Sequence, residues 1–257
     1  MSTPVTSDAT LGKSPSAQSG LSEGERLLDT FSAPSKTFRD INVNGRWWVP
    51  FVIISVISYL FVFTVDKKVG FTVVAQNQLK MSPKAQERLE KLPPEQQQRQ
   101  MDLSASITKG ISFAYPVLFL IIALIVSGVL LAVFNFGMGA EITFGKMLAV
   151  SMYAFLPGIG KALLAVLTLF AGLNAESFTF QNPVGTNIGY YLSFADTPRF
   201  LYSLASSLDV FAIWSTILIG LGVSCISKVE RTTAVVTTFA CWAFWILISA
   251  GLGALFA

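Results

Sequence analysis

The chain has no histidine and only two cysteines, and these shortages exclude much of protein chemistry. Without histidine, both the commonest metal ligand and the usual acid–base residue near neutral pH are missing. Cys225 and Cys241 have no CxxC spacing and sit inside apolar segments. They read as small packing residues and say nothing about redox compartment. No GxGxxG, Walker loop, HExxH or GxSxG occurs, and the Gly158, Gly160 and Lys161 cluster lacks the spacing and the Ser/Thr of a phosphate loop. The sequence calls for no cofactor and no metal, and it reads as non-enzymatic.

Charge is scarce as well. Charged residues make up 13% of the chain, against roughly a quarter in soluble domains, while 53% are hydrophobic. The expectation is a polytopic membrane protein with the lipid bilayer as its solvent. A net charge of +3, scattered along the chain, implies no nucleic-acid partner. No short apolar region with a small-residue cleavage site precedes the first apolar run at Trp47, so no secretory signal is expected to be removed.

What is present is a series of apolar runs. They predict an all-α fold, a polytopic membrane bundle of five transmembrane helices within residues 46–257, with spans near 47–65, 111–134, 147–171, 206–227 and 234–256. Residues 1–20, poor in bulky apolar side chains, predict a disordered tail. Residues 21–45 read as a cytoplasmic amphipathic or interfacial segment, with Ser22 and Glu25 as a capping box and Phe38 and Ile41 three apart. Residues 66–110 form a polar helical loop in which Ser82 and Pro83 start one helix and Pro94 another. Residues 174–204 form an aromatic loop that either lies on the bilayer surface or folds back over the helices, and Thr197 and Pro198 look like a helix start within it. Small residues four apart recur at Ala123 and Ser127, Gly128 and Ala132, Gly220 and Ser224, and Ser249 and Gly253, which predicts close helix approach.

The third run is unlike the others. Pro157, Gly158, Gly160 and Lys161 interrupt it, so a kink or break is expected where Pro157 cannot donate to Tyr153. Lys161 then lies well inside the hydrocarbon, at a cost of about 3 kcal/mol on insertion scales. Three fates are open to it: bonding a carbonyl freed by Pro157, snorkelling to the interface, or pairing with an acid. Asp209, just inside the next apolar run, is the nearest acidic candidate. Pro157, Gly158, Gly160, Lys161 and Asp209 are therefore the candidate intramembrane polar site.

Basic residues give a divided signal on orientation. Lys36, Arg39, Arg46, Lys146, Lys228 and Arg231 favour a cytoplasmic amino terminus, whereas Lys67, Lys68 and Lys109 favour the reverse. Several stretches carry a resemblance. Phe31, Pro34, Thr37, Phe38, Ile41, Trp47, Trp48 and Pro50 resemble the start of the bacterial branch of the Yip family, membrane proteins named for interaction with Ypt/Rab GTPases. The run from Phe144 through Lys146, Tyr153, Leu156 and Pro157 is similar to that family's third span, and Ser207, Leu208, Asp209, Phe211, Trp214 and Gly220 to its fourth. The resemblance implies a five-pass domain with its amino terminus in the cytoplasm of a bacterial cytoplasmic membrane and its carboxyl terminus outside. In eukaryotes the family is associated with vesicle trafficking and membrane organisation. A GTPase partner does not carry over, because the carboxyl half holds no recognisable GTPase-binding sequence. The leading expectation is a scaffold or adaptor that binds other membrane proteins, binds itself or shapes the bilayer. A transporter or channel using the broken third span and Lys161 is the alternative, and a membrane enzyme comes last.

Overall fold

The first helix begins where a side chain can satisfy its free amides. In the computed structural model, which describes residues 20–172 and 176–255, the Ser22 hydroxyl accepts from the Glu25 amide and the Glu25 carboxylate accepts from the Ser22 amide. The Ser22 amide, and after it the Ser22 hydroxyl donating to the same carboxylate oxygen at 2.8 Å, hold the Glu25 carboxyl below its ordinary range. Helix α1, Glu23–Ser32, is followed at once by α2, Pro34–Val43, with proline in the first turn where no amide is needed. The Thr30 and Thr37 hydroxyls both donate to the Arg26 carbonyl, at 2.7 and 3.0 Å, and so tie the two helices together. Apart from Gly20, the tail expected over 1–20 lies outside the described residues, as do 173–175 and 256–257.

Helix α3, Trp48–Lys68, is the first membrane helix. Beyond it come α4, Phe71–Lys80, α5, Pro83–Glu90, and α6, Pro94–Phe113. The prolines start α5 and α6 as expected, whereas α4 is an addition to the sequence reading. It packs on α6 and buries Phe71, Val74 and Ala75. The run expected over 111–134 is divided differently. Pro116 cannot donate to the turn before it, the chain bends at Ala114, and α7 runs Tyr115–Met138. Gly139, at φ +63°, ends α7 in the left-handed conformation, and the Ala140 amide bonds back to the Phe134 carbonyl at 3.1 Å.

The third apolar run folds as α8, Phe144–Ala154, and α9, Gly158–Phe170. Around Pro157 the amides of Leu156, Gly158, Ile159 and Gly160 each bond back three residues instead of four. The aromatic segment then makes a 3₁₀ turn at Ile188–Tyr191 and a short helix α10, Arg199–Ser207, starting one residue later than the Thr197–Pro198 pair suggests. Phe178 is buried beneath Val65, Val74 and Leu169. The segment therefore folds back over the helices.

The expected fourth span is corrected here. A run over 206–227 would cross the bilayer, but α11 spans only Val210–Ile226, 17 residues, or about 25 Å against a hydrocarbon core of about 30 Å. Leu208 leaves helical geometry and Asp209 caps the new helix instead of continuing the old one. With α12, Arg231–Leu255, the described residues hold four helices long and apolar enough to cross a membrane, not five. The five-pass expectation is withdrawn on that finding.

Helix α8 is the centre of the bundle. All eight residues Met147–Ala154 are buried, among α7, α11, α3 and the amino-terminal pair. Two glycines on α11 set how closely helices approach it. A Cβ at Gly222 would lie 2.4 Å from Val150 and 3.1 Å from Phe38, and one at Gly220 would lie 2.6 Å from the Val235 backbone of α12. Large apolar side chains such as Ile125, Val129, Phe244 and Trp245 point outward, as a lipid-facing surface requires.

Candidate functional site

Lys161 lies one turn beyond the break in the third run, on a helix whose carbonyls are already used. The Tyr153 carbonyl, which loses its usual donor at Pro157, accepts instead from the Leu156 amide at 3.2 Å. That removes the need for Lys161 to bond it. The ammonium instead sits 2.9 Å from Asp209 Oδ2.

Asp209 is held by more than this charge. Its Oδ1 accepts from the Phe211 and Ala212 amides, at 2.9 and 3.4 Å, in the manner of a helix N-cap. Its Oδ2 also accepts from the Thr186 hydroxyl at 2.6 Å. The backbone joins the same two segments: the Val210 amide bonds the Thr186 carbonyl at 3.1 Å, and Asn187 and Asp209 form an isolated antiparallel bridge. Asn187 in turn donates to Asn182, whose amide reaches Tyr202 and Ser206 on α10. A buried polar network thus fixes the end of α11 against the loop ahead of it.

The glycines divide in their roles. A Cβ at Gly160 would fall 2.6 Å from the Phe211 ring, so this glycine lets α9 lie against the first turn of α11, where Lys161 can reach its partner. A Cβ at Gly158 would meet nothing within 4 Å. Gly158 has no part in that contact, and Pro157 acts only by breaking the helix.

A second charged cluster was not foreseen from the sequence. Arg26 is 1% exposed, and its guanidinium pairs with Asp40 through two nitrogens and with Glu23 at 3.5 Å. Tyr153, in the middle of α8, donates to Glu23 at 2.7 Å. Burial opposes the Arg26 charge, but the bonds with Tyr153 and Asp40 and the field of Glu23 outweigh it and raise its pKa. The cluster clamps α1 onto α8. The only local signal was the capping box, which places Glu23 and Arg26 one turn apart.

These groups are suited to holding helices together. Among the described residues, no group of three or more His, Cys, Asp or Glu is placed to hold a metal. Comparison with known protein families matches residues 28–253 to the Yip1 domain. Comparison with curated proteins and with solved structures gives no match.

Proposed function

The chain belongs to the Yip1 domain family, and on that footing we propose that it is a non-enzymatic scaffold or adaptor that organises the membrane by gripping other membrane helices or further copies of itself. The observation that carries this reading is how its small residues are used. Two pairs are consumed inside the fold: Ala123 and Ser127 are fully buried, with Ser127 bonded to Ser151 of α8 at 3.0 Å, and Gly220 of the second pair lies against α12. Two pairs are left over. A Cβ at Gly128 or Gly253 would meet nothing within 4 Å, and Ala132 is exposed.

In lipid, such outward pairs gain nothing from apolar burial, but they let another helix approach closely enough to pack. Gly128→Leu and Gly253→Leu are each expected to lower cross-linking of the chain to neighbouring membrane proteins, or to itself, by about tenfold, equivalent to about 1.4 kcal/mol. Thermal unfolding in detergent should stay close to where it is, because a Cβ at either position meets nothing within 4 Å. Unchanged cross-linking in both variants would overturn the reading.

We place the amino-terminal pair on the cytoplasmic side of a bacterial cytoplasmic membrane. Support comes from the basic residues that gather at that end, where Lys146 reaches Asn42 at 2.8 Å and Arg231 reaches Ser35 at 3.2 Å. The likeness of the opening residues to the bacterial branch of the family supports the same placement. In a background lacking Cys225 and Cys241, a cysteine at Gln98 should react with an impermeant thiol reagent on intact cells, and one at Val43 only after permeabilisation. The reverse pattern would invert the orientation.

A further inference from the structure

Between α3, α6, α7 and α9, beneath α4, the bundle holds a cavity of about 560 Å³. That volume falls within the roughly 300–1,000 Å³ of small-molecule sites, which are mostly apolar with a few placed polar groups. The wall is graded in the same way. Ile54, Ile57, Phe119 and Phe155 line one part, and Gln78, Thr108 and Ser112 line the part covered by α4 and α6. Along α3 it extends from Ile54 to Val62, about 12 Å at 1.5 Å per residue. Ile111 and Tyr115, 56% and 45% exposed, stand on its wall and also face outward, so the cavity is reached from the surface that faces lipid.

Lys161 also lines this cavity, with 27% of its side chain exposed. An ammonium has three donors, and the Asp209 carboxylate takes one. Asp209 does not line the cavity, and it shares its charge with Thr186 and with the amides of Phe211 and Ala212. The lysine is thus the less compensated member of the pair, and it has donors to spare on the cavity side.

We propose that this cavity is a binding site for an amphiphile with an acidic head group, its carboxylate or phosphate at Lys161 and its acyl tail along Ile54, Ile57, Phe119 and Phe155. The scaffold reading does not require this site, and occupancy implies no passage across the membrane. An acidic phospholipid of the bilayer and a free fatty acid share this chemistry, and the test separates them.

The full chain in detergent is titrated with palmitic acid and with dioleoyl phosphatidylglycerol. Hexadecanol and dioleoyl phosphatidylcholine serve as counterparts without net negative charge, and adducts are read by native mass spectrometry. A saturable single adduct is expected with one of the acids, preferred about tenfold over its counterpart. Whichever acid wins identifies the source. Ala162→Phe, which puts a ring into the cavity without touching the ion pair, should abolish the adduct, and Ile57→Trp should do so independently if Ala162→Phe fails to fold. Removing both charges, as Lys161→Met with Asp209→Leu, should erase the preference while leaving weak binding of all four probes. Equal binding of acid and counterpart, an adduct indifferent to both filling variants, or no adduct at all would each overturn the proposal.

Discussion

Asp209→Leu is expected to destabilise the protein by about 3 kcal/mol, and adding Lys161→Met should restore much of that loss. The single change leaves an ammonium behind without its carboxylate, which in buried sites costs about 3–5 kcal/mol. The lower end applies because Lys161 keeps 27% exposure and can reorient toward the cavity. The same change removes the cap on α11, usually worth about 1 kcal/mol, and frees the Thr186 hydroxyl. The double variant regains the ion-pair part and not the rest. Asp209→Asn separates these contributions, because asparagine caps a helix as well as aspartate does while losing the charge. Unfolding in detergent across the two single variants, the double variant and Asp209→Asn gives the coupling directly. Additive losses would mean that the 2.9 Å contact contributes nothing.

Arg26→Met should have an effect of similar size but confined to one end. It removes the guanidinium that Glu23 and Asp40 share, leaving Asp40 with the Leu21 amide and Glu23 with Arg46 at 3.5 Å, and it undermines the bond from Tyr153 that holds α1 against α8. A local loss of about 3 kcal/mol or more is expected. Phe38 and Ile41 remain wholly buried through α2, independently of Arg26. Hydrogen exchange should therefore speed up across residues 23–32 while residues 34–43 and the membrane helices keep their protection. Uniform protection in the variant would show that the cluster holds nothing, and uniform loss would show that α1 and α2 dock as one piece.

The four long apolar helices could be read from the sequence because hydropathy and length report on the solvent, and lipid admits few structures. The broken third run was equally legible, since a proline lacks an amide proton wherever it stands. The start of α11 was misread for a physical reason. Averaged hydropathy carries the run straight through Leu208 and Asp209, yet an aspartate followed by an apolar run is also a helix N-cap signature, and in the folded chain the cap prevails. Helix α4 is short and mixed, but Phe71, Val74 and Ala75 are spaced to share one face, a signal too brief to outweigh its polar surroundings. Arg26 could not be found in this way. Its burial depends on Asp40, fourteen residues on, and on Tyr153 far beyond that, and nothing local marks an arginine as enclosed.

The order in which the ribosome delivers the chain sets a problem that the Arg26 cluster solves. Helices α1 and α2 emerge before any membrane span, but the surface they finally cover, on α8 and α11, is complete only when Ile226 has been made. At about 5–20 residues per second that is a delay of roughly ten to forty seconds. Throughout it, Phe38 and Ile41 have nowhere to go but the lipid interface. Arg26, however, already has both of its acidic partners, because Glu23 and Asp40 belong to the same helix pair. Thr30 and Thr37 close on its carbonyl without help from the rest of the chain. Only Tyr153 arrives late. The pair can therefore wait on the membrane surface with the Arg26 charge already compensated and its geometry set, and the tyrosine joins when α8 is in place.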